Sequence, residues 1–435
     1  MGAERNGRME NDFRGKRLLI LGGAVQCLKV VETAREMGVY TIVTDLQADG
    51  AAKLSADEAL PFSVTDASAI LDWCGKHPVD GVLNYCVDFA QIAHQRVCEA
   101  LGLPAFGTSE QYRCLTDKAA FKQLCVESGV DVIPEYDENE PEKIEYPVLV
   151  KPAESSGSRG AAVCSCRAEL DEAVKNAKAI SRNGKTIIEK YMGGKQDFTV
   201  TYLVADGEPY PVRIGDRYLG RVEDGLDRQC VCTVSPSRYL DLYFEKVHGS
   251  VVGMLKKLGL RNGPVFFQGF VDGDTVRFYD PGIRFPGGEY DRLFREATGV
   301  DLVRAVIEYA LSGKLALKEE LSDAFLLKGR VAVQVTAAVR AGTIGVYEGF
   351  DEVEKLPGVV CAARKSAAGR TIPASGDVKQ RVAEIDYLAA DRRSAAETAG
   401  RIYGALRILD TEGKDMVVSR VSPELLEPSD LTGKA

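Results

Sequence analysis

The chain has 435 residues, 45% hydrophobic and 27% charged, an ordinary soluble composition with enough length for two or three domains. Its 55 Lys and Arg against 64 Asp and Glu leave a net charge of −9, which argues against non-specific binding to nucleic acid or an anionic membrane. Eleven cysteines without a CxxC spacing, and only three histidines, supply neither a zinc site nor a histidine-based triad.

No apolar run approaches the ~20 residues of a spanning helix. The start, MGAERNGRMENDFRGK, has no apolar segment of the secretory kind. Residues 1–14 therefore read as a disordered leader and the chain as cytoplasmic. KRLLILGGA is a continuous apolar run closing on two glycines, as in a buried parallel strand. VQCLKVVETAREMG has helical spacing, and VYTIVTD and GVLNYCV are further strands before the helix FAQIAHQRVCEALG. This βαβ order predicts a Rossmann-like domain over 15–112. Asp45 stands where a ribose-binding acid would fall, but LGGAVQC lacks G-x-G-x-x-G, so NAD is not the favoured ligand.

Thr116 is the predicted N-cap of the next helix, which leaves near Gly129. DENEPEKIEY is a polar loop. The stretch PVLVKPAESSGSRGAAV then ends a strand in Lys151 and opens into a Ser/Gly loop, Ser155, Ser156, Gly157, Ser158, Arg159 and Gly160. A lysine at a strand end and small residues whose amides can turn toward an anion suit a phosphate, although each alone fits a solvated surface equally well. TIIEKYMGGKQDFTV follows, with Glu189, Lys190, Tyr191 and Met192 ending a strand and Asp197 opening another. Taken singly, these charges are as readily edge residues as ligands. The pairs Cys164/Cys166 and Cys230/Cys232 read as small apolar side chains sharing one face of a strand.

RQCVCTVSP reads as sheet and YLDLYFEKVHGSVVGMLKKLGL as one amphipathic helix. GPVFFQGFV and TVRFYDPGIRF form a hairpin that brings Gln268 and Asp280 onto one face, within reach of a single metal. Arg284 suits bidentate contact with a carboxylate or phosphoryl oxygen. DLVRAVIEYALSG is helical, and from about Lys328 a small α+β module begins.

The ordered set TDK, VLVKP, SSGSRG, IIEKYMGG, QDFTV, FFQGFV and YDPGIRFPGG resembles an ATP-grasp enzyme over about Gly15 to Met416. The resemblance implies an α/β and α+β architecture. Its parts are a Rossmann-like pre-ATP-grasp domain at 15–112, an ATP-grasp domain at 113–325 with a smaller nucleotide subdomain about 147–205, a C-terminal lid at 326–422, and a tail at 423–435. The lid is similar to that of phosphoribosylglycinamide synthetase, biotin carboxylase and L-amino-acid ligase relatives.

The resemblance implies ATP with Mg²⁺ or Mn²⁺ as cofactors. Lys118, Lys151 and Ser155 to Gly160 fall at phosphate-contacting positions, Glu189 to Met192 at the adenine-contacting hinge, and Asp197 at the ribose acid. Gln268 and Asp280 fall at metal positions, and Arg284 at the arginine that stabilises an acyl phosphate. The family usually has Glu at 268 and Asn where Gly282 stands, so two of three metal positions depart from it. The implied chemistry is a carboxylate activated by ATP and passed to an amine, with no nucleic-acid or membrane partner. Two alternatives stay open, a degenerate nucleotide-binding protein and a bicarbonate-using carboxylase or carbamoyl-phosphate type enzyme. The resemblance also leaves a homodimer open.

Overall fold

The computed structural model describes residues 13–426 except 153–159, 182–183, 222–227, 316, 318, 376–377 and 419. Ser155, Ser156, Gly157 and Ser158 of the expected phosphate loop therefore lie outside the described residues, and Gly160 stands at the loop's far edge.

Arg17–Leu21 (β1), Tyr40–Thr44 (β2), Glu58–Leu60 (β3) and Gly81–Leu83 (β4) form a parallel sheet in the order β3-β2-β1-β4. Leu18 to Leu21 are wholly buried, as a parallel strand covered on both faces requires. Asp45, just past β2, accepts the Gly23 N–H at 2.7 Å. That bond ties the turns after β1 and β2 together.

Glu135–Tyr136 (β5), Val148–Pro152 (β6), Ala162–Cys164 (β7) and Thr186–Lys190 (β8) make a small antiparallel sheet in the order β5-β8-β6-β7. The helix Arg167–Ile180 covers it, burying Leu170, Ala173 and Ala177 against Val148, Val150 and Ile188.

Next come Asp197–Ala205 (β9), Glu208–Arg221 (β10), Arg228–Ser235 (β11), Gly263–Asp272 (β12), Thr275–Gly282 (β13) and Val331–Ala338 (β14). The remaining strands are Gly342–Glu348 (β15), Val359–Arg364 (β16), Thr371–Ile372 (β17), Arg381–Ala389 (β18) and Arg407–Asp410 (β19). The large sheet runs β13-β12-β9-β10-β11-β14-β18-β16, so backbone hydrogen bonds continue from the central strands into the C-terminal ones. A second core, built on Val234, Val333, Ile385 and Tyr387, lies under that continuation. β17, β15 and β19 form a separate sheet beside it.

Several local expectations change. The N-cap of helix Lys118–Glu127 is Asp117, which accepts the Ala120 N–H at 2.8 Å. Thr116 instead ends the preceding helix, Ser109–Thr116, and its hydroxyl donates to the Tyr112 carbonyl at 2.7 Å. The segment read as one helix from Tyr239 holds a π turn at Tyr243–Val247 before the helix His248–Leu258. The widened turn places Tyr243 and His248 within 2.7 and 2.8 Å of the buried Tyr202 hydroxyl. Cys166 lies beyond the end of β7 and is exposed, so it shares no strand face with the buried Cys164. A bulge between Tyr218 and Leu219 likewise breaks the Cys230/Cys232 alternation, leaving Cys232 buried and Cys230 partly exposed.

The helix Tyr290–Thr298 was not predicted. YDRLFREAT buries Leu293, Phe294 and Ala297 on one face and stops at Gly299 in the left-handed region, a signal that was available in the sequence. Among the described residues no helix is long and apolar enough to cross a membrane.

Candidate functional site

The residues singled out from the sequence gather along the seam between the small sheet and the β12–β13 edge of the large one. At one end, Lys151 Nζ donates to Glu189 Oε1 at 2.6 Å, and Lys122 Nζ stands 3.9 Å from the other oxygen. Lys122 also bonds Glu135. Glu189 is 6% exposed, so these lysines supply the positive charge that a buried carboxylate requires. The Tyr191 N–H donates to the Pro147 carbonyl at 3.0 Å, and the Met192 carbonyl accepts from Lys195 N–H at 3.2 Å.

Lys190 turns away from that group. It meets Asp272 at 2.8 Å, as do Lys195 and Arg277. Burial alone would raise the Asp272 carboxyl. Hydrogen bonds from the three cations outweigh it and hold that carboxyl well below the usual range. The cluster clips the tip of the β12–β13 hairpin to the end of β8.

The acidic end is built on three neighbouring strands. Asp197, 2% exposed, accepts from Arg217 Nη1 at 2.8 Å and from the Tyr279 hydroxyl at 2.9 Å. Gln268 Oε1 accepts from the same Arg217 nitrogen at 2.9 Å and from Tyr279 at 3.3 Å. Burial pushes the Asp197 carboxyl up, and Arg217 and Tyr279 act against that shift. Asp280 lies directly across from Gln268 in the β12–β13 register, as the hairpin predicted. Its nearest cation is Lys118, 3.8 Å away and well exposed. Burial raises the Asp280 carboxyl too, opposed first by Lys118.

Gly282 and Arg284 are coupled through Phe266. A Cβ at 282 would sit 2.2 Å from the Phe266 ring, so no side chain fits there without displacing it. The same ring carries the Arg284 guanidinium, whose central carbon is 4.7 Å from the ring centroid. Arg284 also donates to Asp88 at 3.0 Å and to the Phe285 carbonyl at 2.9 Å. Gly282→Asn should therefore lower stability by about 1–3 kcal/mol through overpacking, read as a fall in Tm. An unchanged Tm would mean that Phe266 moves freely.

This donor set tests the expected Mg²⁺ or Mn²⁺. Asp280 offers a carboxylate. The Gln268 oxygen is turned into a guanidinium and a phenol, and the 282 position is filled by a ring. Hard divalent ions want several oxygen donors and an excess of negative charge. Among the described residues no group of three or more His, Cys, Asp or Glu is placed to hold a metal. The Gln268–Asp280 pair does not fit a divalent ion in this arrangement.

Beyond Arg284, residues following β4, residues of β10 and the turn after β13 meet. One cavity is lined by Tyr85 just past β4, Arg213 of β10, and Phe285, Pro286, Tyr290 and Asp291. Arg213 lies over the Tyr290 ring at 4.3 Å. Lys29, which the sequence reading passed over, is buried beside this cavity and paired with Asp291 and Glu289. Burial would lower its ammonium, but those carboxylates hold it well above the ordinary value. Arg217, Tyr279 and Lys122 were also passed over. For Arg217 the available signal was the run of charges Arg213, Asp216 and Arg217 within the sheet segment GEPYPVRIGDRYL, where burial demands partners. His94 is a core residue, pushed down to about 4 by burial and bonded to Tyr112 at 2.8 Å.

Residues 117–318 match the family model described as carbamoyl-phosphate synthase L chain, ATP binding domain. In sequence, the chain is 32% identical over 199 residues to methylcrotonoyl-CoA carboxylase subunit alpha, mitochondrial, of Oryza sativa subsp. japonica, spanning 39% of this chain and 26% of that protein. The chain thus spans about a quarter of that relative's length. It is 25% identical over 338 residues to biotin carboxylase of Pseudomonas aeruginosa, spanning 70% of this chain and 72% of that one. In structure it is similar to phosphoribosylglycinamide synthetase from Anaerococcus prevotii, with a TM-score of 0.75 at 17% identity, covering 91% of this chain and 100% of that one. The likeness to L-amino acid ligase from Bacillus licheniformis has a TM-score of 0.74 at 20% identity, covering 92% of this chain and 99% of that one. The fold is the ATP-grasp fold. The chain's central segment is of the type that binds ATP in the carbamoyl-phosphate synthase large chain.

Proposed function

We propose that the protein is an ATP-dependent ligase that activates a small-molecule carboxylate as an acyl phosphate and passes it to an amine. The observation that carries this reading is the line of cations Lys151, Lys118 and Arg284 along the seam, ending at a cavity lined by Tyr85 and Arg213. A carboxylate oxygen attacks the γ-phosphorus, ADP leaves, and the amine displaces phosphate from the acyl carbon while losing a proton. Positioning and charge neutralisation by fixed cations supply most of the catalysis in such transfers. Lys118 and Lys151 serve the phosphates, Glu189, Tyr191 and Met192 border the base, and Arg284 meets the acyl phosphate. In this arrangement Asp197 reaches the ribose only after loosening from Arg217. Lys190 serves the hairpin clip and not the nucleotide.

The test is release of ADP and phosphate that requires a carboxylate and an amine together, with hydroxylamine trapping the acyl phosphate as a hydroxamate. Intact ATP binding with no turnover across a broad metabolite panel would sink the ligase reading and leave the degenerate nucleotide binder. A second reading, bicarbonate as the activated acid, is supported by the similarity to biotin carboxylase along 70% of the chain. Bicarbonate-stimulated ATP hydrolysis without an added amine would select it.

A further inference from the structure

The two positions that depart from the usual metal ligands have each been filled by another group of this chain. At 268 an amide stands where a carboxylate is usual, and its oxygen accepts from Arg217 at 2.9 Å and Tyr279 at 3.3 Å. At 282 the Phe266 ring occupies the space a side chain would need, 2.2 Å from an added Cβ. The charge count agrees. Asp197 and Asp280 supply two negative charges, and Arg217 and Lys118 supply two positive ones at 2.8 and 3.8 Å. A divalent ion at Gln268 would stand beside a guanidinium and meet no surplus of negative charge, an arrangement that repels it.

We infer that the Arg217 guanidinium, fixed between Asp197, Gln268 and Tyr279, takes the place of a divalent cation at this end of the site, so that the nucleotide's phosphates are bound without one. This rests on the nucleotide reading above and goes further, to the identity of the charge that receives the phosphates. Arg217 suits the task. A guanidinium stays protonated, and its planar fork matches phosphate oxygens. Its side chain is 16% exposed, so it is not sealed from the seam. Glutamine at 268 follows from the same logic. A carboxylate there would add a negative charge beside incoming phosphate, whereas the amide holds the guanidinium and adds none.

The experiment is calorimetric titration of the full chain with AMPPNP, in EDTA and in excess Mg²⁺. The expected result is a dissociation constant that differs by less than about tenfold between the two conditions. Affinity more than about tenfold weaker in EDTA overturns this inference and leaves the nucleotide reading standing. No binding in either condition overturns both.

The charge-neutral double variant Asp197→Asn/Arg217→Gln removes the guanidinium without stranding a carboxylate. It should open a gap of more than about tenfold between EDTA and Mg²⁺, whereas Arg217→Lys should keep the gap small. If the double variant weakens binding equally in both conditions, the pair acts through fold or ribose and the inference fails. Mn²⁺ titration by electron paramagnetic resonance adds a readout independent of affinity. Wild type should show no Mn²⁺ ion held by protein ligands, with or without AMPPNP, and one such ion would overturn the proposal.

Discussion

Arg284→Gln should lower carboxylate-dependent ADP release by about 10²–10³-fold while AMPPNP affinity stays within a few-fold of wild type. Arg284 is fixed on three sides, by the Phe266 ring beneath it, the Phe285 carbonyl and the Asp88 carboxylate. A cation held this way costs little reorganisation when charge develops on a transferring phosphoryl group, which is why its loss falls on turnover. Glutamine keeps hydrogen-bonding capacity and removes the charge. Asp88 is well exposed, so its release does not strand a buried carboxylate, and the variant should fold. Equal losses in AMPPNP affinity and turnover would place Arg284 in nucleotide binding. No loss in either would remove it from the site.

Arg217→Met should cost about 3–5 kcal/mol of stability near neutral pH, because it leaves Asp197 buried and without its cation. The loss should also depend on pH, with a sign fixed by Asp197. Its folded carboxyl lies above its ordinary value because of burial, and removing Arg217 takes away the strongest opposing interaction. An acid raised on folding binds its proton more tightly in the folded state. Stability from that proton is present at low pH and lost as pH rises from about 4 toward the folded value. The gap in Tm between variant and wild type should therefore be smaller at pH 5 than at pH 8. An equal gap at both would mean that Arg217 contributes packing alone. A chain of several cores need not unfold in two states, so Tm differences are the safer readout.

These variants mark where sequence reading stopped. It reached Gln268 and Asp280 because a tight hairpin fixes its own register, and the two do face each other. It reached Lys151 with Glu189 because they end adjacent strands of one small sheet, though not that they would pair with each other. It missed Arg217 because that residue reaches Gln268 from a strand two places away in the sheet and 51 residues away in sequence. Lys29 and Asp291, 262 residues apart, are a more extreme case. Lys190, expected at the adenine-contacting hinge, meets Asp272 for the same reason. A lysine at a strand end has the same local signature whether its partner is a phosphate or Asp272.

Local interactions wrote the first part of this protein into its sequence. Apolar runs, glycine stops and motif order set the parallel N-terminal strands, the small sheet, the hairpin and the ATP-grasp architecture, because each depends on neighbours within a few residues or on chain order. Tertiary structure alone decided the charge state of the site. It turned Gln268 toward a guanidinium, put the Phe266 ring where Gly282 leaves room, and continued the large sheet into the C-terminal strands. Electrostatic and steric partners of buried groups come from whatever strand lies beside them, and side-chain pattern along one strand carries no record of what packs against it.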